Sequence, residues 1–388
     1  MDFNQFLTGE LQRIEAAGLR RSLRVMDSAQ GAEVFCDGRR LVNFSSNDYL
    51  GLAGHPLLIE AARHAASEAG AGAGASRLIS GSHRHHERLE EELADFKNTA
   101  AALTFSSGYA AALGVIPALA GAGDVIILDK LCHACLIDAA RLSGAVLRVF
   151  PHNQLEKLES HLRWAREKHP KARVLVLVES VYSMDGDLAP LREIVELKER
   201  FGAWLFVDEA HALGVIGSHG RGLADALGVA GPIEVHMGTL GKALGTAGAY
   251  VCGSSVLRDY LINSARSFIF STAPPPAVAA AGCAAVSLLA SAEGAERVER
   301  LESVRRELAA LLQGPVSSSA IFPVSIGEEN RAVAVSKQLR DAGFFVPAIR
   351  YPTVGKGAAR LRITVTADHT ADHLKSLAVA LRSSIREV

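Results

Sequence analysis

The chain places an acid, a histidine and a lysine in a pattern that is typical of covalent cofactor chemistry. The segment 208–211, Asp-Glu-Ala-His, directly follows the apolar run 204–207, and Lys242 comes 34 residues after Asp208. A lysine can bond to the aldehyde of pyridoxal phosphate (PLP), and a carboxylate beside the pyridine nitrogen keeps that nitrogen protonated, so that the ring accepts electrons. Asp208 and Lys242 therefore predict a PLP site.

Lys242 alone would be weak evidence, because lysine side chains are nearly always solvated. Its surroundings favour a reactive amine: the segment 238–248 contains four glycines, which leave room for a planar group, and no carboxylate. Removal from water would lower the pKa of the lysine toward a neutral, reactive amine. A phosphate-binding P-loop is excluded, since His236 and Ala243 stand where that motif requires glycine and serine or threonine.

Asp208 and His211 each have a simpler interpretation when they are taken singly. Asp208 could cap a helix, and His211 could be a hydrogen-bonded histidine of a loop. A carboxylate that follows a buried strand and precedes a histidine by three positions is better explained by a charge-organised pocket. We therefore place both residues at the predicted cofactor site.

Two further segments carry candidate cofactor contacts. The segment 106–109, Ser-Ser-Gly-Tyr, follows the apolar strand 101–105 and begins a helix. The free amides of a helix start bind anions, so this turn is our candidate for the phosphate site, with an ordinary strand-to-helix turn as the alternative. His133, between Cys132 and Cys135, could stack on the cofactor ring. The Cys-x-x-Cys spacing could instead indicate metal or redox chemistry, but no second pair has zinc spacing, and we expect no metal.

Two arginines near the C-terminus are candidates for binding the carboxylate of an amino-acid substrate. Arg350 lies in the segment 348–353 and Arg362 in the segment 360–364. A guanidinium offers the planar, bidentate donor pair that a carboxylate requires. Each could instead be a surface charge, and we expect this for the neighbouring Arg360.

The order of apolar runs predicts an α/β fold with a mostly parallel sheet covered by helices on both faces. The runs 174–178 and 204–207 are continuously apolar, as strands buried on both faces should be. Predicted strands also span 101–105, 124–129 and 145–150, with helices at 86–97 and 134–142 and from residue 109 between them. We expect a helix and hairpin arm at 1–45, a large α/β domain at 46–280, and a small α+β domain at 281–388.

Composition favours a globular enzyme of a reducing compartment. The 388 residues carry a formal net charge of -1, which makes nucleic acid an unexpected partner. The odd number of dispersed cysteines argues against a disulfide framework. The apolar residues near the N-terminus follow an amphipathic helical pattern rather than that of a signal peptide, and no apolar run reaches membrane-spanning length. We therefore expect a cytoplasmic protein without a membrane partner. The five cysteines are Cys36, Cys132, Cys135, Cys252 and Cys283.

Several motifs in sequence order resemble those of the α-oxoamine synthases, a family of fold-type I PLP enzymes that condense an amino acid with an acyl thioester. The resemblance covers nearly the whole chain and implies the fold of a fold-type I PLP-dependent transferase. It also implies a homodimer with active sites at the subunit interface. The matching segments are 43–52 (Asn-Phe-Ser-Ser-Asn-Asp-Tyr-Leu-Gly-Leu), 74–78 (Gly-Ala-Ser-Arg-Leu), 105–109 (Phe-Ser-Ser-Gly-Tyr), 183–187 (Ser-Met-Asp-Gly-Asp), 208–211, and those around Lys242 and Arg350.

The resemblance implies a role for each matching residue. Lys242 would carry PLP, Asp208 would pair with the pyridinium, His211 would hydrogen-bond the phenolic oxygen and His133 would stack on the ring. Gly108, Tyr109, Ser183 and Thr239 would line the cofactor, and Thr272 would reach a phosphate in the partner subunit. Asn47 and Arg350 would hold the amino-acid carboxylate, and Arg21 would lie near the acyl substrate.

Within this family, the segments 43–50 and 359–364 most resemble those of the branch that acts in biotin biosynthesis. That resemblance implies L-alanine and a pimeloyl thioester as substrates, with coenzyme A or acyl carrier protein as the thioester carrier. Tyr351 and Gly355 stand where that branch more often has proline. Sister enzymes that use glycine with acetyl-CoA or succinyl-CoA therefore remain alternatives. A nucleotide-binding oxidoreductase, or a non-catalytic binding protein built on the same sheet, is the alternative of another class.

Overall fold

A seven-stranded, mostly parallel sheet forms the centre of the molecule. The computed structural model describes residues 2–387. The strand order is β3-β9-β8-β7-β6-β4-β5, and only β9 runs antiparallel to the strands beside it. The sheet contains strands β3 (Ala101–Phe105), β4 (Val125–Asp129), β5 (Val146–Phe150), β6 (Val174–Glu179), β7 (Trp204–Asp208), β8 (Val235–Thr239) and β9 (Ala249–Gly253).

The sheet is buried on both faces, which explains the continuous apolar runs of its strands. Along β4, Ile126 and Leu128 pack into one apolar cluster, while Val125 and Ile127 pack into another on the opposite face. Fourteen α-helices surround this sheet and the smaller sheets within residues 2–387. They are α1 (Phe3–Ala16), α2 (Pro56–Ala69), α3 (Arg84–Phe96), α4 (Gly108–Leu119), α5 (Ala134–Ser143), α6 (Leu155–Lys168), α7 (Leu191–Arg200), α8 (Leu223–Ala226), α9 (Ser255–Ser264), α10 (Arg266–Ile269), α11 (Pro276–Leu289), α12 (Ala292–Leu312), α13 (Glu329–Asp341) and α14 (Ala371–Glu387).

Two three-stranded sheets lie outside the central sheet. The predicted N-terminal hairpin turns at Asp37 and Gly38, both with positive φ, and its second strand pairs with a strand from the C-terminal region. The other small sheet is antiparallel and belongs wholly to the C-terminal region. The strands of the first sheet are β1 (Glu33–Cys36), β2 (Arg39–Asn43) and β11 (Phe344–Phe345), and those of the second are β10 (Ile321–Gly327), β12 (Ala348–Ile349) and β13 (Ala359–Thr364).

The α/β fold and the predicted strands are confirmed, with their ends shifted by about one residue. Two strands that flank Lys242, β8 and β9, were not predicted, because their mixed and glycine-containing sequences lack a clear period. The predicted N-terminal helix is present as α1, but it buries none of its residues. Among residues 2–387, no single helix is long and apolar enough to cross a membrane, and α11 with α12 would reach that length only as a pair bent by 75°.

Candidate active site

The carboxyl ends of three neighbouring strands converge on one small cavity. Glu179 ends β6 and pairs in register with Asp208 at the end of β7, which pairs in turn with Met237 in β8. The loop after β8 carries Lys242 back over these strand ends. The cavity has a volume of about 190 Å³, and its lining consists of Gly108, Tyr109, His133, Cys135, Glu179, Asp208, Ala210, His211, Met237, Thr239 and Lys242.

Lys242 presents its amine to a histidine inside this cavity. Its Nζ lies 2.7 Å from Nε2 of His211. Burial lowers the pKa of Lys242, and the negative charge of Asp208 acts in the opposite direction. The balance favours an amine that loses its proton more readily than a solvated lysine does, as a nucleophile or base at neutral pH requires.

Two buried carboxyl groups, those of Asp208 and Glu179, line the same cavity as the Lys242 amine, and burial disfavours the charged form of each. Asp208 is almost fully buried, its Oδ1 accepts a hydrogen bond of 2.8 Å from the backbone amide of Ala210, and burial raises its pKa. Burial and the charge of Asp208 raise the pKa of Glu179 to about 8. A cation between these groups would stabilise their charged forms, so the site is suited to a ligand with a positively charged ring nitrogen.

A chain of hydrogen bonds links Lys242 to the C-terminal region. The Tyr49 hydroxyl lies 2.5 Å from Nδ1 of His211 and 3.3 Å from Oδ1 of Asn47. Oδ1 of Asn47 also accepts from both terminal nitrogens of Arg362, at 3.2 Å each. If Tyr49 donates to Asn47, it accepts from Nδ1 of His211 and leaves Nε2 of that ring as an acceptor toward Lys242. Burial and the charge of Lys242 lower the pKa of His211 far below its usual range, so the ring is neutral.

His133 and the start of α4 complete the wall of the cavity. The backbone amide of His133 donates a hydrogen bond to Oε1 of Glu179. Nδ1 of the His133 ring accepts from the Cys135 amide at 3.2 Å and so caps the start of α5. Burial lowers the pKa of His133, which favours a neutral ring. At the start of α4, Ser107 Oγ accepts from the amide of residue 110 at 3.1 Å. The amides of Gly108 and Tyr109 have no hydrogen-bond acceptor within residues 2–387, as an anion site at a helix start requires.

Of the twelve residues to which the resemblance assigns a role, the structure brings seven to this cavity and leaves five outside its lining. Thr239 lines the cavity, and its hydroxyl donates to the carbonyl of Gly248 at 3.0 Å. Asn47 lies outside the lining and is linked to it by the hydrogen bond between its Oδ1 and the Tyr49 hydroxyl. The backbone carbonyl of Ser183 accepts a hydrogen bond from Arg362. Thr272 forms an isolated β-bridge with Ser76. The seven are Gly108, Tyr109, His133, Asp208, His211, Thr239 and Lys242.

The two remaining predicted residues, Arg21 and Arg350, line a different cavity. Arg350 donates to the backbone carbonyls of residues 18 and 20, so its guanidinium is not free to approach Asn47 in this conformation. The buried Arg362 contacts Asn47 instead. Arg360 is not the surface charge that we expected, because it forms an ion pair with Asp185 and its side chain is only 15% exposed.

Glu179 is the main site residue that the sequence interpretation missed. Glu179 directly follows the continuously apolar run 174–178. A second buried carboxylate next to Asp208 could not be inferred without the register that pairs the two strand ends. Met237 was missed because β8 was not predicted.

A larger cavity, about 840 Å³, lies at the opposite edge of the sheet. It is lined where β6, β7 and β8 begin, for example by Trp204 and Val235. Its lining also contains Lys198, Glu234 and His236. Lys198 is held in ion pairs with Glu199 and Glu234, at 2.5 and 2.7 Å, so its amine is not available to a ligand as that of Lys242 is. Ligands of open α/β sheets bind at the carboxyl ends of the strands, so the smaller cavity is the candidate active site.

The residues of the small cavity fit PLP. Lys242 supplies an amine for the aldehyde, Asp208 supplies a buried carboxylate for the ring nitrogen, and His133 supplies a planar face. The free amides at 108 and 109 supply donors for a phosphate. Among residues 2–387, no group of three or more histidine, cysteine or acidic side chains is arranged to hold a metal ion.

Comparison with known proteins agrees with this site. Residues 39–381 match the family model of class I and II aminotransferases. The chain is 47% identical to an 8-amino-7-oxononanoate synthase of Geobacter metallireducens, over 97% of this chain and 96% of that protein. A serine palmitoyltransferase variant from S. paucimobilis with a bound PLP-myriocin aldimine superimposes with a TM-score of 0.92 at 31% identity, over 100% and 99% of the two chains. An 8-amino-7-oxononanoate synthase from Francisella tularensis superimposes with a TM-score of 0.75 at 27% identity, over 89% and 98%.

The fold and the site together define a fold-type I PLP-dependent transferase, as predicted. The similarity to 8-amino-7-oxononanoate synthases extends over nearly the whole chain, and it therefore defines the family more narrowly. The chain belongs to the class I and II aminotransferase family and, within it, to the 8-amino-7-oxononanoate synthases.

Proposed function

We propose that the chain catalyses the decarboxylative condensation of L-alanine with a pimeloyl thioester. The products are 8-amino-7-oxononanoate, carbon dioxide and the free thiol carrier, in biotin biosynthesis. The observation that carries this proposal is the shared cavity of Lys242 and Asp208, which places a buried amine and a buried carboxylate on one small ligand site. The cofactor prediction is confirmed by the family match and by the PLP in the solved serine palmitoyltransferase.

PLP, when it is bound, supplies an aldehyde that bonds to amines and a ring that accepts an electron pair from the substrate Cα. Asp208 keeps the ring nitrogen protonated, because a buried carboxylate is stabilised by the positive charge beside it. Lys242, with its lowered pKa, removes the Cα proton of alanine. Nε2 of the neutral His211 ring accepts a hydrogen bond from that amine, at the 2.7 Å separation seen here.

We assign the alanine carboxylate to Asn47 and Arg362 rather than to Asn47 and Arg350. Arg362 is 5% exposed and already directs both terminal nitrogens at Oδ1 of Asn47, next to Tyr49 and His211. Two terminal nitrogens directed to the same side of a guanidinium can donate to both oxygens of a planar carboxylate. Ser183 would support this pair, since its carbonyl accepts from Nε of Arg362 at 2.7 Å.

The substrate assignment is tested by measuring thiol release from the PLP-loaded enzyme with two substrate pairs. We expect turnover with L-alanine and pimeloyl-CoA, and carbon dioxide formed in equal amount. Turnover only with glycine and acetyl-CoA or succinyl-CoA would contradict the proposal in favour of a sister enzyme. A protein that binds no PLP and turns over neither pair would favour the oxidoreductase or binding-protein alternative.

We also propose a cytoplasmic homodimer with active sites at the subunit interface. The five cysteines are free and buried, as in proteins of reducing compartments. Leu78, Ile79 and Phe270 are exposed apolar residues near the short bridge between Ser76 and Thr272, and a second subunit would cover them. Sedimentation should give twice the chain mass of 41.0 kDa, and a monomer at micromolar concentration would contradict this part of the proposal.

A further inference from the structure

Glu179 is a second carboxyl group in the cofactor cavity, and the proposed reaction gives it no task. It lies at the end of β6, in register with Asp208 at the end of β7, and both side chains are buried. Residues in register on neighbouring strands point to the same face of the sheet and lie about 4.8 Å apart along it. A ligand in this cavity therefore meets two carboxyl groups.

One oxygen of Glu179 fixes the loop that carries His133. Its Oε1 accepts a hydrogen bond from the backbone amide of His133, the residue that caps the start of α5 and lines the cavity. Within residues 2–387, no donor is bonded to the other oxygen, Oε2, or to Oδ2 of Asp208. Glu179 thus holds the residue that is expected to stack on the cofactor ring, and one of its oxygens remains free.

The charges around Glu179 do not compensate a second negative charge. Asp129, at the end of the neighbouring strand β4, has its own partner in His152 at 3.0 Å. Lys242 is the cation that acts on both Asp208 and Glu179, but its amine bonds to the cofactor aldehyde when PLP is bound. Burial raises the pKa of the other titratable groups packed near Glu179, so that they carry no charge: Cys132, Cys135 and Tyr182.

The protonated form of Glu179 is therefore the stable one. Burial and the charge of Asp208 raise the pKa of Glu179 to about 8, and burial lowers the pKa of His133 and His211, so that neither ring supplies a positive charge. A buried carboxylate without a cation takes up a proton instead. One negative charge is enough for one ring nitrogen, and Asp208 is the carboxyl group on the strand next to β8, which leads to Lys242.

We propose that Glu179 is a positioning residue that works as a neutral carboxylic acid. Its carbonyl oxygen holds the loop of His133 at the wall of the cavity, and its proton leaves Asp208 as the single negative charge beside the ring nitrogen. The inference rests on the PLP site of the proposed function and is independent of the two substrates.

Two substitutions separate the acceptor from the proton. Glu179→Gln keeps a carbonyl oxygen for the His133 amide, whereas Glu179→Leu has a similar size and leaves that amide without an acceptor. We expect Glu179→Leu to bind PLP about tenfold or more weakly than Glu179→Gln, because a buried donor loses its partner. Titration of the visible absorbance measures both affinities. Equal affinities of the two variants would overturn the positioning role.

Infrared difference spectroscopy of the PLP-loaded protein tests the proton directly. At pH 7, the spectrum of the unmodified protein minus that of Glu179→Gln should contain the C=O stretch of a protonated carboxyl group, which shifts in D2O. This band should give way to a carboxylate band as the pH rises above about 8. The matched control Glu167→Gln changes an exposed glutamate of α6, and its difference spectrum should show a carboxylate band at pH 7. A carboxylate band for Glu179 at pH 7 would overturn the proposal, since a residue with a structural role alone needs no proton.

The outcomes separate this inference from the proposed function. An enzyme that binds PLP and turns over a pimeloyl thioester, but in which Glu179 is ionised at pH 7, would refute the inference alone. A protonated Glu179 in a protein that binds PLP and turns over no pimeloyl thioester would refute the proposed reaction and support the role of Glu179. A protein that binds no PLP would refute both.

Discussion

Asp208 is the residue whose charge has the clearest chemical role in the site. It is buried at the end of β7 and shares the cavity with Lys242. Asp208→Asn keeps the size of the side chain but removes the charge that stabilises a protonated ring nitrogen. We expect kcat to fall by about 10² to 10³, as for the loss of other preorganised electrostatic contacts.

The control for this variant is Asp225→Asn, which neutralises an exposed carboxylate on the nearby helix α8. It should retain full activity and the same unfolding temperature. Condensation by Asp208→Asn at the unmodified rate would show that Asp208 does not serve the cofactor.

His152 is a residue whose protonation should stabilise the fold near the site. Its Nδ1 lies 3.0 Å from Oδ1 of Asp129, and its Nε2 lies 2.7 Å from Oδ2 of Asp187. His152 therefore links the loop after β5 to the end of β4 and to the loop after β6. Burial opposes its charge, but the hydrogen bonds to these two carboxylates raise its pKa from about 6.5 to about 10. Its stabilisation is therefore complete below pH 6.5 and is lost as the pH rises toward 10.

We expect His152→Gln to lower the free energy of unfolding by about 3 kcal/mol at pH 6. The difference from the unmodified protein should shrink steadily between pH 7 and pH 10. Denaturant unfolding across this range measures the effect, with the exposed His219→Gln as control. A difference that stays constant with pH would mean that His152 is neutral in the folded protein.

Among the elements, the loop between β8 and β9 depends on a glycine. Gly245 has φ +63, and a Cβ there would lie 2.4 Å from the backbone nitrogen of Ala53. Gly245→Ala should displace the loop, so that PLP affinity falls by about tenfold or more. Gly241→Ala in the same loop is the control, since its Cβ would meet nothing closer than 3.4 Å. Equal PLP affinity in both variants, measured by titration of the visible absorbance, would refute this account of the loop.

A buried ion pair fixes the end of β7 to the end of α3. Lys97 Nζ lies 2.6 Å from Oε2 of Glu209 and also donates to the carbonyl of Arg221. Burial alone would raise the pKa of Glu209, but the charge of Lys97 lowers it to about 2. Glu209 is therefore charged at neutral pH and requires its partner.

Lys97→Met should lower the free energy of unfolding by about 3 to 5 kcal/mol, because it leaves a buried carboxylate without its cation. The double variant Lys97→Met/Glu209→Gln should recover a large part of this loss. Chemical denaturation of the three proteins measures both effects. A double variant that is less stable than Lys97→Met would show that Glu209 stabilises the fold without Lys97.

Elements with a clear period could be predicted from the sequence, and those without one could not. The runs 174–178 and 204–207 could be assigned to strands because they are continuously apolar, as the burial of both sheet faces requires. In contrast, β8 contains His236 and Gly238, whose burial depends on tertiary partners. One of these partners is Tyr250, whose ring atoms would lie 2.4 Å from a Cβ at position 238.

At the scale of the whole molecule, residue types predicted the residues that the fold brings together in the candidate cofactor cavity, whereas the proposed substrate contacts depend on chain topology. Lys242, Asp208, His211 and His133 could be predicted because each chemical role requires one residue type next to a strand end. The choice between Arg350 and Arg362 depended on tertiary hydrogen bonds, those of Arg350 to the N-terminal segment and that of Arg362 to Asn47, which sequence alone does not reveal. The division of the chain at 45/46 and 280/281 stays a prediction.

The central claim is that Lys242 holds PLP in the cavity of Asp208 and His211. Borohydride reduction of the purified protein, followed by peptide mass spectrometry, tests it most directly. We expect the pyridoxyl phosphate mass on the peptide that contains Lys242, and its loss in Lys242→Ala together with the visible absorbance band. The same mass on another lysine, or an unmodified Lys242 in PLP-saturated enzyme, would contradict the account.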